Sequence, residues 1–143
     1  MGRSATRLDS MRAVAILAAV GFVAMACFQA ALALGAPLGR AAWGGTDTRL
    51  PRRLRVASMF AAAVFLLATL VILRRSGFRF SPVSSAFAQR GTFVLAGVMA
   101  LSGILNAASK SRWERFLWGP TALTVAILCF VTAQSGSHLV RWG

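Results

Sequence analysis

Four apolar segments separated by arginine-rich connections constrain this chain more than any other feature of its sequence. Residues 13–34 form an uninterrupted apolar run, and further apolar segments occupy residues 56–73, 92–108 and 116–134. A helix needs about 17 to 25 mostly apolar residues to cross a bilayer, and all four segments fall in that range. Because 57% of the residues are hydrophobic and only 13% are charged, the chain is too apolar for a soluble domain. The sequence therefore predicts an all-α fold, a four-transmembrane-helix bundle forming a single membrane domain over residues 1–143.

Basic residues stand at the ends of the apolar segments. Sixteen Lys and Arg against three Asp and Glu give a net charge of +13, which in a soluble protein would suggest nucleic-acid binding. At segment ends, however, basic side chains anchor helices to headgroups and set the topology. We therefore expect the lipid bilayer as the partner, including anionic lipid headgroups, and no nucleic acid. Arginine predominates over lysine and alanine is abundant, as GC-rich codons produce, so the expected location is the cell membrane of a high-GC bacterium.

The basic N-terminal segment before the first apolar run also has the form of a signal peptide. The run over residues 13–34 is longer than the roughly 7 to 15 residues of a signal-peptide apolar region, so a first membrane helix is the better interpretation. Four spans place both termini on one side, and the 16 basic residues then divide equally between the two sides. The positive-inside rule gives no orientation from that count, although the arginines crowded before the first span favour a cytoplasmic N-terminus.

The first loop, residues 35–55, is the longest connection between two apolar segments. Gly35 followed by Pro37 is typical of a helix end. Gly44 and Gly45 predict a backbone bend, because glycine is favoured where φ is positive or where backbones approach closely. Long ordered loops are usually functional. We therefore expect this Gly/Pro-rich loop to be ordered and to fold over the ends of the third and fourth helices.

The other two connections carry helix-start signals. Ser81 followed by Pro82 predicts an N-cap and a first helical position for a short interfacial segment before the third span. Ser111 and Glu114 fit a capping box, in which the serine and the glutamate satisfy each other's backbone N–H groups. Pro120 predicts either a kink in the fourth helix or its true start. Within the third span, the small residues Gly103 and Ala107 predict close helix packing.

Polar side chains inside the spans gather on one side. Those nearest the first and third connections are Gln29, Ser58, Asn106, Thr121 and Thr124. Amides in a membrane bond across helices or line a wet cavity. A shallow polar cavity under the first loop is one hypothesis; the alternative is that the amides bond to neighbouring helices while the tryptophans form an interfacial belt. The predicted ligand- or partner-binding face comprises Gln29, Gly35, Pro37, Trp43, Gly44, Gly45, Asp47, Asn106, Trp113 and Trp118.

Ionisable and metal-binding residues are sparse. No Asp, Glu, Lys, Arg or His falls inside the apolar segments, which disfavours ion-coupled transport. The only histidine, His138, is near the C-terminus, and no nucleophile and base can be paired from their spacing. Cys27 and Cys129 lie at different depths in separate segments, so we expect free thiols. The sequence therefore predicts no catalytic residues, metal ligands or cofactor.

A pattern in the first and third connections resembles a group of small four-helix integral membrane proteins of actinobacteria and bacilli. The residues that carry it are Gly35, Pro37, Gly39, Trp43, Gly44, Gly45, Leu50, Pro51, Leu54 and Arg55, and later Asn106 to Ser111, Glu114, Arg115 and Trp118 to Pro120. The resemblance implies the four-span topology but no activity. Members of the group often have an acidic residue near the position of Arg40, and this departure argues against an acid-dependent role of the loop.

Three functions fit these observations. The first is a membrane protein without a catalytic site, acting as an accessory or scaffold subunit that binds a lipid or a protein partner through the first loop. The second is a small transporter or channel formed as a homo-oligomer, because four short helices enclose little space by themselves. The third is a lipid- or quinone-active enzyme that uses Asp47 with arginines of the first loop.

Overall fold

The computed structural model describes residues 2–78 and 81–135, and that part of the chain is helical with short connections and no strand. Helix α1 spans Gly2–Ala33, α2 spans Arg52–Arg75, α3 spans Ser85–Ala107 and α4 spans Gly119–Ser135. A 3-10 turn, Gly39–Ala41, lies in the first loop, and a π-helical turn, Glu114–Trp118, leads directly into α4. The all-α prediction is confirmed.

All four helices are long and apolar enough to cross a membrane. The candidate spans are Asp9–Ala33, Arg52–Arg75, Ser85–Ala107 and Glu114–Gln134. They contain the four predicted apolar segments apart from a residue or two at some ends, and they extend further because polar and basic residues continue the helices. Long basic side chains can occupy helix ends at a membrane surface, since their stems lie on apolar surface while the charges reach water.

The four helices pack as two hairpins. α1 packs mainly on α2, and α3 packs mainly on α4, while contacts of α1 with α4 and of α2 with α3 close the bundle. The central core consists largely of small side chains: Ala15, Ala18, Ala19, Phe22, Met25, Ala68, Ile72, Ala96, Met99, Ala122, Val125, Ala126 and Cys129. Large apolar side chains such as Phe60, Val94 and Ile127 point outward, which is the arrangement expected for contact with lipid.

Gly103 packs closely against Leu123 between α3 and α4. A Cβ atom at this position would lie 2.6 Å from the Leu123 Cγ and 3.1 Å from the Leu123 backbone nitrogen. Because such contacts are too short for any side chain, the glycine is what permits this separation of the two helices. The predicted packing role of Gly103 is confirmed.

Two glycines end their helices in the same way. Gly35 has a φ of 91°, its N–H donates to the Leu32 carbonyl at 3.0 Å, and the next N–H donates to the Ala31 carbonyl at 3.0 Å. This is a Schellman motif, which satisfies carbonyls left free at a helix end. Gly77, with a φ of 90°, ends α2 with the equivalent bonds. The helix end predicted at Gly35 is confirmed.

The N-cap predicted at Ser81 for a short interfacial segment before the third span is wrong, because residues 81–84 are not helical. The N-cap is Ser84, whose Oγ accepts from the Phe87 N–H at 3.3 Å, and α3 begins at Ser85. Ser81 is buried, and its hydroxyl donates to the Leu70 carbonyl at 3.0 Å. That bond holds the second connection against α2, so Ser81 has a tertiary partner and the later serine caps the helix.

Pro120 marks the start of α4. The Gly119 N–H donates to the Glu114 carbonyl, closing the π-helical turn just before the proline. Proline has no N–H to donate to the preceding turn, and the wider turn accommodates this loss. The α-helical part of this segment therefore begins beside Pro120, whereas the helical backbone as a whole begins at residue 112.

Candidate binding cavity

The first loop folds over the junction between α3 and α4. The Gly44 N–H donates to the Glu114 Oε1 at 2.8 Å, and the Trp118 Nε1 donates to the Ala41 carbonyl at 2.7 Å. The Ser111 hydroxyl donates to the Arg40 carbonyl at 3.4 Å. These three bonds join segments about 70 residues apart in sequence, so the predicted docking of the loop is confirmed.

The turn that makes this contact has three consecutive residues with positive φ. The values are 53° at Trp43, 85° at Gly44 and 72° at Gly45. A Cβ at Gly45 would lie 2.9 Å from both the Arg40 carbonyl oxygen and the Ser111 Oγ. Glycine is therefore required here by conformation and by space. The bend predicted at the two glycines is confirmed, and it extends to Trp43.

A small apolar cluster holds the first loop to the ends of α1 and α2. Its buried members are Leu32, Ala42 and Leu50, and Phe28 and Leu54 pack against them. The Gly39 N–H also donates to the Thr48 carbonyl at 3.0 Å, which joins the two halves of the loop. The loop therefore has a core of its own.

Glu114 bonds to the first loop through one carboxylate oxygen and to the third connection through the other. Oε1 accepts from the Gly44 N–H, and Oε2 accepts from the Ser109 hydroxyl. The capping-box prediction is only half right. The Ser111 Oγ accepts from the Glu114 N–H at 3.5 Å, as a capping box requires. The other bond is missing, because the Ser111 N–H donates to the Ser109 Oγ at 3.1 Å and not to the Glu114 carboxylate. The carboxylate instead satisfies a donor on the first loop.

A cavity of about 340 Å³ lies beneath this contact. The first loop, the π-helical turn and all four helices contribute to its wall, so the cavity is near the bundle axis at the first-loop end. Its lining residues are Met25, Phe28, Gln29, Ala42, Trp43, Phe65, Met99, Ser102, Leu105, Asn106, Glu114, Trp118 and Ala122.

Four polar residues line the cavity among apolar and aromatic neighbours. They are Gln29, Ser102, Asn106 and Glu114. The Gln29 Oε1 is buried and has no hydrogen-bond partner in the described structure. Leaving such a group unpaired costs about 1–3 kcal/mol by protein mutational data. The Gln29 side chain lines the cavity, but this oxygen itself is enclosed by protein atoms.

Two tryptophans and a phenylalanine form an aromatic wall. The Trp43 Nε1 donates to the Ser58 Oγ at 3.0 Å, and the Trp118 Nε1 donates to the loop carbonyl of Ala41. Phe28 packs on Trp118 with ring centroids 4.5 Å apart. Because both indole N–H groups are already engaged, the two rings offer the cavity aromatic surface rather than hydrogen-bond donors.

The structure brings together some of the predicted face and separates the rest. Gln29, Trp43, Asn106 and Trp118 line the cavity. Gly44 and Gly45 form the turn at its edge. The remaining four do not line it: Gly35 ends α1 beside Arg55, Pro37 is exposed, Asp47 is exposed and accepts from the Thr46 hydroxyl, and Trp113 is 55% exposed.

Sequence reasoning missed several lining residues. Ser102 lies one turn before Asn106 on α3, so helical spacing was a usable signal for it. Glu114 was assigned to the capping box, which hid its position at the cavity. Thr121 and Thr124 belong to the polar residues of that half of the bundle, but their hydroxyls donate to the carbonyls of Leu117 and Pro120 in their own helix. The gathering of polar residues near the first loop correctly indicates where the cavity lies, but fewer of these residues line it than the sequence suggests.

No protein-family model, curated protein or solved structure matches this chain. The class defined by the fold is a multi-pass helical membrane protein, and the described residues add a cavity roofed by the first loop. The resemblance to small four-helix membrane proteins of actinobacteria and bacilli stays a prediction.

Proposed function

We propose that this chain is a multi-pass protein of the bacterial cell membrane that binds one small amphiphilic molecule from the bilayer. The observation that carries the proposal is the cavity of about 340 Å³ beneath the first loop. Small-molecule sites typically measure about 300–1,000 Å³ and combine apolar walls with a few placed polar groups. The cavity has both properties. This corresponds to the lipid-binding accessory protein among the three functions considered from the sequence.

The order of lining residues along each helix supports an amphiphilic ligand. On α1, Met25 precedes Gln29 on the way to the first loop, and on α3, Met99 precedes Asn106 on the way to the third connection. The apolar part of the cavity therefore lies deeper in the bundle, and its polar part lies near the loops. A molecule with an apolar body and a polar head, oriented as bilayer lipids are, matches this gradient.

The roof of the cavity supports retention of the ligand. Trp43 and Glu114 both line the cavity and both take part in hydrogen bonds that fix the first loop. A bound head group would therefore contact the same residues that hold the loop in place. Ligand binding should stabilise the docked loop, since any molecule that binds only the folded state raises its stability.

Native mass spectrometry of the protein extracted in mild detergent tests this proposal. We expect the wild-type protein to carry one bound amphiphile and Ser102→Phe, which fills the cavity, to lose it. Leu101→Phe is the matched control, because Leu101 is on the same helix but 58% exposed on the outer surface. Circular dichroism would check that both variants keep their helix content. Equal retention of the molecule by the two variants, or its absence from the wild type, would overturn the proposal.

A further inference from the structure

We infer that the ligand of this cavity is a hydrophobic organic cation, such as an amphiphilic amine, ammonium or phosphonium, and that the Glu114 carboxylate recognises its charge. This inference rests on the proposed function, because it assigns the charge of the molecule that the cavity holds. The one ionisable side chain that lines the cavity is acidic, whereas the chain as a whole is strongly basic.

The charge at the cavity opposes the charge of the protein. The chain carries 16 basic residues and a net charge of +13, yet among the described residues that line the cavity none is Lys or Arg. Glu114 is the one ionisable side chain in that lining. An anionic head would face a carboxylate in a lining that contains no Lys or Arg, which is costly in a partly desolvated site. The arginines at the helix ends stay available to anionic headgroups outside the cavity.

The carboxylate of Glu114 has acceptor capacity left. Its oxygens accept one bond each from the Gly44 N–H and the Ser109 hydroxyl, whereas an ionised carboxylate offers about four lone-pair sites. Both donors are uncharged. The neighbouring Arg115 donates through Nε and Nη2 to the Ser109 carbonyl at 3.2 and 2.8 Å. A cation in the cavity would supply the charge that the two neutral donors lack.

The rest of the wall suits a cation with an apolar body. Trp43, Trp118 and Phe28 present aromatic surface, which attracts ammonium-like groups through cation–π interaction. A neutral alcohol would leave the Glu114 carboxylate without a counter-charge. A cation would supply that charge and could also pack its apolar body against the aromatic surface.

Three probes of similar shape and different charge test this inference. They are methyltriphenylphosphonium, triphenylmethanol and triphenylacetate, a cation, a neutral alcohol and an anion. Titrations would use purified protein in a non-ionic detergent and follow tryptophan fluorescence, because two tryptophans line the cavity. We expect the wild type to bind the cation about tenfold or more tightly than the alcohol, and the anion weakest, as expected for a charge contact of 1.4 kcal/mol or more.

Two variants separate charge recognition from loop structure. Glu114→Gln keeps an acceptor for the Gly44 N–H but removes the charge, so we expect it to bind cation and alcohol about equally. Asp47→Asn makes the same charge change in the first loop outside the cavity and should retain the wild-type preference. If Glu114→Gln does not fold, the ranking of the three probes on the wild type decides.

The outcomes are distinct. Failure of all three probes to bind overturns the proposed function together with this inference. Equal binding of cation and alcohol by the wild type overturns the inference alone, as does an unchanged cation preference in Glu114→Gln. A preference lost in Glu114→Gln and kept in Asp47→Asn supports it.

Discussion

The Glu114 carboxylate accepts a hydrogen bond from the Gly44 backbone N–H at 2.8 Å, joining two residues 70 positions apart in the sequence. This bond fixes the tip of the first loop to the π-helical turn before α4. The donor is available because Gly44 and its neighbours adopt positive φ, and the acceptor is available because Glu114 does not close a capping box.

Glu114→Ala should release the first loop without unfolding the bundle. It removes the acceptor for the exposed Gly44 N–H and for the Ser109 hydroxyl, and a typical intramolecular hydrogen bond contributes about 0.5–1.5 kcal/mol. We expect faster amide hydrogen exchange over residues 40–46 and little change in the centre of α1 and α2. Lys110→Ala, at an exposed position nearby, is the control. Unchanged exchange in Glu114→Ala would show that the apolar cluster alone holds the loop.

Gly45→Ala should destabilise the protein more than Gly44→Ala. Both positions have positive φ, which costs about 1–2 kcal/mol for a residue with a Cβ. Only at Gly45 does the added atom also meet the Arg40 carbonyl and the Ser111 hydroxyl, at 2.9 Å. Thermal unfolding in detergent would measure the difference. Gly97→Ala, within α3 with nothing inside 4 Å, should be neutral or slightly stabilising; equal effects of all three changes would contradict the described turn.

Trp43 and Ser58 should show energetic coupling. The Trp43 Nε1 donates to the hydroxyl of Ser58, which is fully buried on α2. Trp43→Phe and Ser58→Ala should each lower stability, and the double variant should lose less than the sum, with a coupling energy of about 1 kcal/mol. A double-mutant cycle by thermal unfolding measures this. Strict additivity would mean that the bond contributes nothing.

Gly103→Ala should be rescued by a smaller partner at position 123. The added methyl would lie 2.6 Å from the Leu123 Cγ, and overpacking of this kind costs about 1–3 kcal/mol. Leu123→Ala removes the clashing atoms, so the double variant should be more stable than Gly103→Ala alone. If it is less stable, the backbone contact at 3.1 Å is the dominant clash.

Cys27 and Cys129 should stay reduced and differ in reactivity. Both are free thiols, Cys27 exposed on the outer surface and Cys129 fully buried in the bundle core. We expect a membrane-permeable maleimide to label Cys27 first and Cys129 only after denaturation. Intact-mass measurement before and after reduction should show no shift, whereas a gain of two hydrogens would contradict the helix positions.

The fold could be predicted because its signals are local. An apolar run of bilayer length predicts a spanning helix whatever surrounds it, and Gly35 followed by Pro37 predicts the end of α1 from a few residues. The start of α3 shows where local signals fail. Ser81 and Ser84 are both acceptable N-caps, and a tertiary hydrogen bond from Ser81 to Leu70 decides between them.

The cavity could be predicted only in part. Gln29 and Asn106 stand out in the sequence because amides are rare within membrane helices, and both line the cavity. Glu114 does not stand out, because Ser111 is a satisfactory local partner and the competing donor, Gly44, is remote in sequence. Which of two partners a carboxylate takes depends on the folded path of the first loop.

The π-helical turn at Glu114–Trp118 should make this region intolerant of changes in length. A π turn holds about one residue more per turn than an α turn, and removing one residue rotates the preceding chain by about 100° around the helix axis. Such a deletion before Pro120 would turn Glu114 away from Gly44 and from the cavity together. Among natural variants of this chain, we therefore expect side-chain replacements at the exposed residues Phe116 and Leu117 and almost no insertions or deletions in the turn.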